Sequence, residues 1–93
     1  MAGVIRTTGT GTNASVRLNN TTSSTGNEWQ LYSYNNGDFS IYETSDRLYI
    51  KSNGNVGIGT TSPSANLSIS GSGDSTKNEL SIESDVYPIL RFK

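Results

Sequence analysis

Short stretches of this chain alternate apolar and polar side chains, and turn residues separate the stretches. Residues 14–20 set Val16 and Leu18 on one face, with Ser15, Arg17 and Asn19 on the other, which predicts a strand. A polar loop, 21–27, follows. Residues 28–34 alternate Trp29 and Leu31 against Gln30, Tyr32 and Tyr34. Asn35-Asn36-Gly37 predicts a turn, because Asn-Gly accepts the positive φ that tight hairpins need. Residues 38–44 oppose Phe39 and Ile41 to Ser40 and Tyr42, and Ser45-Asp46 is expected to turn the chain. Residues 47–52 then oppose Leu48 and Ile50 to Tyr49 and Lys51. After a turn at Asn53-Gly54, Val56 and Ile58 oppose Gly57 and Gly59. Four short strands with tight connections make a β-meander.

Pro63 has no N–H and holds Ser62 extended, so the chain is expected to leave the ladder there. Beyond it, 66–70 reads as a short strand with Leu67 and Ile69 inward, and 71–75 as a linker or turn. Residues 79–84 (Leu80, Ile82) and 87–93 (Ile89 or Leu90, Phe92) are two further expected strands. A weak internal repeat runs through the pattern. Residues 13–20 resemble 77–84, and 29–34 resemble 88–93. The expected organisation is a flexible lead-in over 1–12, a β-rich fibre unit over 13–70, and a linker with the start of a second unit over 71–93. The chain thus reads as a fragment of a longer repetitive protein.

Composition makes a self-sufficient monomer a poor expectation. Leu, Ile, Val and Phe supply 19 of 93 residues, and net charge is only −1. Ordering a residue costs roughly 1.5 kcal/mol, against about 25 cal/mol returned per Å² of apolar area buried. Chains short of apolar area turn to disulfides, metals or oligomerisation. The absence of Cys and His removes disulfides and the ordinary zinc or copper sites, so oligomerisation is expected. Ser (15), Thr (11), Asn (10) and Gly (10) suit turns and short strands, not helices. No run of about 18 apolar residues predicts a membrane span. Residues 1–6 are too short and polar for a signal peptide. With no basic patch, binding to nucleic acid by phosphate neutralisation is not expected.

Few motifs suggest chemistry. The spacing Gly54…Gly57…Gly59 is G-x-x-G-x-G, the reverse of the dinucleotide fingerprint, and neither a helix nor Lys-Ser/Thr follows. The preferred reading is structural: Gly57 and Gly59 should lie where another backbone approaches closely or where φ is positive. Asp38, Glu43, Asp46, Asp74, Glu79, Glu83 and Asp85 sit mostly beside turns, and no pair is set up for glycosidase chemistry. Without His, Cys or a nucleophile elbow, acyl transfer lacks its parts, and the sequence predicts no enzyme and no cofactor. Calcium at Asp38 or Asp74 has the right ligand chemistry but no EF-hand spacing. N-x-Ser/Thr triplets at Asn13, Asn19, Asn20 and Asn66 are expected by chance in so Asn- and Thr-rich a chain.

The stretch Asn53-Gly54-Asn55-Val56-Gly57-Ile58-Gly59-Thr60-Thr61-Ser62-Pro63-Ser64-Ala65-Asn66-Leu67 resembles a recurring stalk motif of phage tail fibres and tailspikes. That motif often stands just upstream of an intramolecular chaperone domain. It is similar as well to mosaic trimeric fibres of predatory Bdellovibrio-type bacteria. Trp29, Gly37 to Ile41 and Arg47 to Ile50 are similar to the segment that leads into it, so the resemblance covers about residues 27–69. It departs at Asn66, where the pattern has Lys. The resemblance implies an interwoven all-β homotrimer, extracellular, on a virion tail or bacterial surface. It fixes no ligand, and no autoproteolytic residue carries over.

Three functions follow as expectations. The first is a structural fibre segment supporting attachment to host or prey. The second is a carbohydrate-binding head, with Tyr32, Tyr34, Tyr42 and Tyr49 stacking on a cell-surface glycan and Arg47 beside them. The third is a fragment of a polysaccharide-degrading tailspike. The preferred reading of the tyrosines is packing across strands or between subunits. Trp29 is expected in the core.

Overall fold

The computed structural model describes residues 3–71 and 80–93. It is all-β: β1 Ala14–Asn19, β2 Glu28–Ser33, β3 Phe39–Glu43, β4 Ser45–Ile50, β5 Val56–Ile58 and β6 Leu67–Ile69, with no helix among the described residues. One sheet holds all six strands in sequence order. Neighbours are antiparallel from β1 to β5, and β6 lies parallel to β5.

Two of the three antiparallel connections within the meander share one turn. Gly37 N–H donates to Tyr34 O at 3.0 Å and Tyr34 N–H to Asp38 O at 2.9 Å. Gly54 N–H donates to Lys51 O at 2.8 Å and Lys51 N–H to Asn55 O at 2.9 Å. Gly37 and Gly54 have φ of +93° and +95°. This is the three-residue hairpin loop with glycine in the left-handed position of a bulge. The Asn side chain before each glycine reinforces it, Asn36 Oδ1 accepting from Asp38 N–H and Asn53 Oδ1 from Asn55 N–H, both at 2.9 Å.

The third connection departs from expectation. Ser45 and Asp46 belong to β4, and the chain turns at Thr44, with φ +56° and Glu43 opposite Ser45. Ile41 still pairs with Leu48, whereas Tyr42 pairs with Asp46, so Arg47 is the extra residue of a β-bulge.

Pro63 ends the meander without ending the sheet. The chain loops over residues 59–66 and returns parallel to β5, with Val56 N–H donating to Asn66 O and Ser70 N–H to Ile58 O, both at 2.9 Å. Residues 80–93 form no strand; their apolar side chains, Phe92 and Tyr87 among them, are exposed and no sheet edge receives them. The expected linker beyond Gly71, Asp74, the first residues of the second repeat and Glu79 lie outside the described residues.

The largest departure concerns the core. Val16, Leu31, Ile41, Leu48, Ile58 and Ile69 form one unbroken cross-strand row over all six strands. Ala14, Ser33, Phe39, Ile50, Val56 and Leu67 form a second row, and Leu18 pairs with Trp29. Among the described residues no strand packs on this face, and Val16, Leu18, Trp29, Leu31, Phe39, Ile58 and Leu67 on it are exposed. Trp29, expected in the core, is 40% exposed, and Leu67, expected inward, is 52% exposed. A single sheet has no second layer to supply the cover.

Candidate functional site

The opposite face is the buried one. Ser15, Tyr32, Ser40, Tyr49, Gly57 and Ser68 form a row across the six strands, in which each of the two tyrosines lies between small residues. Each ring therefore has a small residue beside it to lie over. Ser40 is fully buried, Tyr49 is the one buried large apolar residue among those described, and Gly57 is buried. Tyr32, Tyr34 and Tyr42 are half-buried within the single chain, because the rings cover each other and the strands beneath.

The four rings form a continuous ladder. Tyr42 meets Tyr32 edge-on at 5.4 Å between centroids, Tyr32 stacks on Tyr34 at 5.3 Å, and Tyr34 lies tilted against Tyr49 at 5.8 Å. These are favourable aromatic geometries, worth about 0.5–1.5 kcal/mol per pair beyond the area buried. Two carboxylates anchor the ladder. Tyr34 donates to Asp46 Oδ1 at 2.5 Å, a contact that follows from the Arg47 bulge, which places Asp46 opposite Tyr42. Tyr49 donates to Asp38 Oδ2. Asp38 is buried and also accepts from Ser52 N–H at 2.8 Å and from Asn36 Nδ2 at 3.2 Å, with Lys51 Nζ at 3.9 Å.

These contacts set the titration of the ladder. The Tyr49 hydrogen bond, then that of Ser52 N–H, holds the Asp38 carboxyl below its ordinary value. Burial, then the bond to Asp38, raises the Tyr49 phenol. Burial, then the bond to Asp46, raises the Tyr34 phenol. Gln30 Oε1 is buried without a hydrogen-bond partner. Ser40 Oγ is buried too and makes no hydrogen bond of proper geometry, although it lies beside the Tyr34 phenol.

The tyrosines predicted from sequence are therefore together, but Arg47 is not among them. Its guanidinium turns to the β3–β4 connection, with Nη2 2.7 Å from Glu43 Oε1 and Nε donating to Glu43 O at 3.1 Å. With two phenols bound to carboxylates and the rings stacked on one another, this face offers a sugar far less open ring than four separate tyrosines would. Asp38 and Asp46 are the residues that sequence reasoning undervalued: beside turns they read as solvated carboxylates, and only register reveals which tyrosine reaches each.

Gly57, Gly59 and Pro63 form the junction between β5 and β6. A Cβ on Gly57 would sit 2.3 Å from Thr60 O, and one on Gly59, at φ +77°, would sit 2.0 Å from Ser70 O. Gly59 N–H reaches back to Arg47 O at 3.3 Å. Pro63 is buried, and its carbonyl accepts from Asn55 Nδ2 at 3.4 Å. Gly54, with open space around it, serves only its turn. Beside this junction lies a cleft of about 760 Å³, lined by Ser45, Asp46, Arg47, Ile58, Gly59, Thr60, Thr61, Ser70 and Gly71.

Among the described residues no group of three or more His, Cys, Asp or Glu could hold a metal ion. No helix there is long and apolar enough to cross a membrane. No family profile, curated protein or solved structure matches the chain.

Proposed function

We propose that this chain is a structural segment of a homotrimeric surface fibre, a spacer that supports attachment rather than a catalyst. The observation that carries the reading is the apolar face that runs across all six strands with no described strand packed on it, leaving Tyr49 as the one buried large apolar side chain among the described residues. The thin apolar composition and the stalk-like sequence over 53–67 support it. So does the way the tyrosine face spends its hydrogen bonds internally, as a wall does and a binding surface does not. Light scattering on the full chain tests it: the expected mass is about three times 10.0 kDa. A folded species of single-chain mass removes the proposal.

A second reading, binding of a glycan, draws on the cleft beside the β5–β6 junction, whose lining includes Ser45, Asp46, Arg47, Thr60, Thr61 and Ser70. Glycan arrays probed with the assembled protein test that reading separately.

A further inference from the structure

We propose that the face bearing Leu31, Ile41, Leu48 and Ile58 is where copies of this chain meet, and that the tyrosine face is the outer wall of the assembly. The inference deepens the fibre reading and rests on it, since it names which surface joins the subunits. It reverses what alternation alone suggests, where the tyrosines are the natural candidates for an interface.

Three observations select a second copy as the occupant. The first is charge. Of the strand residues on this face only Glu43 is charged, and it is already paired with Arg47 at the corner. A charged or nucleic-acid partner finds nothing to bind. The second is necessity. Tyr49 is the one buried large apolar residue among those described, and every exposed large apolar side chain of the sheet itself stands on this face. Interfaces between identical chains are the more apolar kind, and closed symmetric assemblies of one chain are the commonest way to cover such a face. The third is size. Strands spaced about 4.8 Å with a rise of about 3.3 Å per residue give a projected face of roughly 450 Å² per copy. Two faces together carry about 900 Å² of projected surface and more of accessible surface, close to the ~1,000 Å² at which specific interfaces begin. On the tyrosine side the rings, Asp38 and Asp46 satisfy one another and require no cover.

The chain contains no cysteine, so single-cysteine variants report one position each. Leu31→Cys and Ile58→Cys probe the apolar face; Arg17→Cys, exposed on the tyrosine face, is the reference. Each full-length variant is alkylated with a maleimide, with its mass measured in parallel. The expected result is an oligomeric mass, with Leu31→Cys and Ile58→Cys reacting at least tenfold more slowly than Arg17→Cys and all three reacting alike in denaturant. An oligomer whose Leu31→Cys and Ile58→Cys thiols react as fast as Arg17→Cys overturns this inference and leaves the fibre reading standing. A monomer removes the fibre reading. If its two apolar-face thiols are nevertheless protected, the cover is the chain's own segment, and the inference falls with it. Leu31→Lys supplies a second check, with an expected shift of mass toward the single chain; an unchanged oligomer counts against the face.

Discussion

Tyr49 and Asp38 sit on neighbouring strand ends, and the phenol of one donates to the carboxylate of the other in the most buried part of the sheet. Asp38 is held there by its hairpin turn, whose Asn36 binds both its N–H and its carboxylate. The turn thus delivers an acceptor to the ladder, and the ladder fixes the turn. Tyr49→Phe is expected to keep the ring packing and lose the anchor. The melting temperature should fall by several degrees, and the Asp38 carboxyl should titrate closer to an ordinary aspartate by NMR. An unchanged melt would show that the hydroxyl is idle.

Stability should fall at both ends of the pH scale. The Asp38 carboxyl is lowered on folding, so its contribution is present above the unfolded value near ~3.9 and is lost as pH falls through the folded value. The Tyr34 and Tyr49 phenols are raised, so their contribution is present below about pH 10 and is lost as pH climbs toward their folded values. Melting temperature measured from pH 2 to 11 should show a plateau between these limits. In Asp38→Asn the acid limb should flatten. An acid limb of wild-type steepness in that variant would place its origin in other carboxylates.

Tyr32 lies between Tyr34 and Tyr42 and touches both rings. Tyr32→Ala removes two of the three ring contacts and uncovers Ser40, so a loss of about 1–3 kcal/mol is expected in denaturant unfolding. Tyr42→Ala, at the end of the ladder, should cost less. The reverse order would show that the ladder is not the packing unit.

At Gly57 and Gly59 an added methyl group meets backbone, which cannot swing aside. Gly59→Ala also forces a non-glycine residue to φ +77°. Each substitution is expected to cost about 2 kcal/mol or more and to release β6 first. Hydrogen exchange at Val56 and Ser70, whose amides bridge β5 and β6, reads this directly. Protection equal to the wild type at both amides would contradict the close approach.

Thr44 is a β-branched residue at φ +56°, a conformation that such side chains adopt at a cost. Thr44→Asn is expected to raise stability by roughly 1 kcal/mol, less what is lost with the Thr44 hydroxyl's bonds to Glu43 O and Arg47 Nη2. A lower melting temperature would mean that those bonds outweigh the strain.

The meander and its Asn-Gly turns were legible in the sequence because they are local: a period of two and a glycine that tolerates positive φ decide them. The Arg47 bulge was not, since residues 45–48 carry no glycine to mark it, and the Thr44 turn is set by pairing across the strands. Without the bulge, Asp46 cannot be assigned to Tyr34. The return of β6 was hidden for a similar reason: a parallel strand takes its place from distant partners, here Val56 and Ile58 of β5, and Pro63 reads only as a stop. Which face is covered was the hardest to read. Alternation sorts Trp29 from Tyr32, but it cannot tell that tyrosines beside Ser40 and Gly57 have room to lie flat. Residues 80–93 alternate as well, yet alternation makes a strand only where an edge accepts it.

The two faces also carry different chromophores. Trp29, the single tryptophan, stands on the apolar side, whereas the stacked tyrosines stand on the other. Excited at long wavelength, the indole reports only its own surroundings, so its emission should move to the blue when that side leaves water. Near-ultraviolet circular dichroism of the coupled phenols follows the ladder instead. Diluting the protein while recording both signals separates loss of neighbours from loss of fold without adding a label.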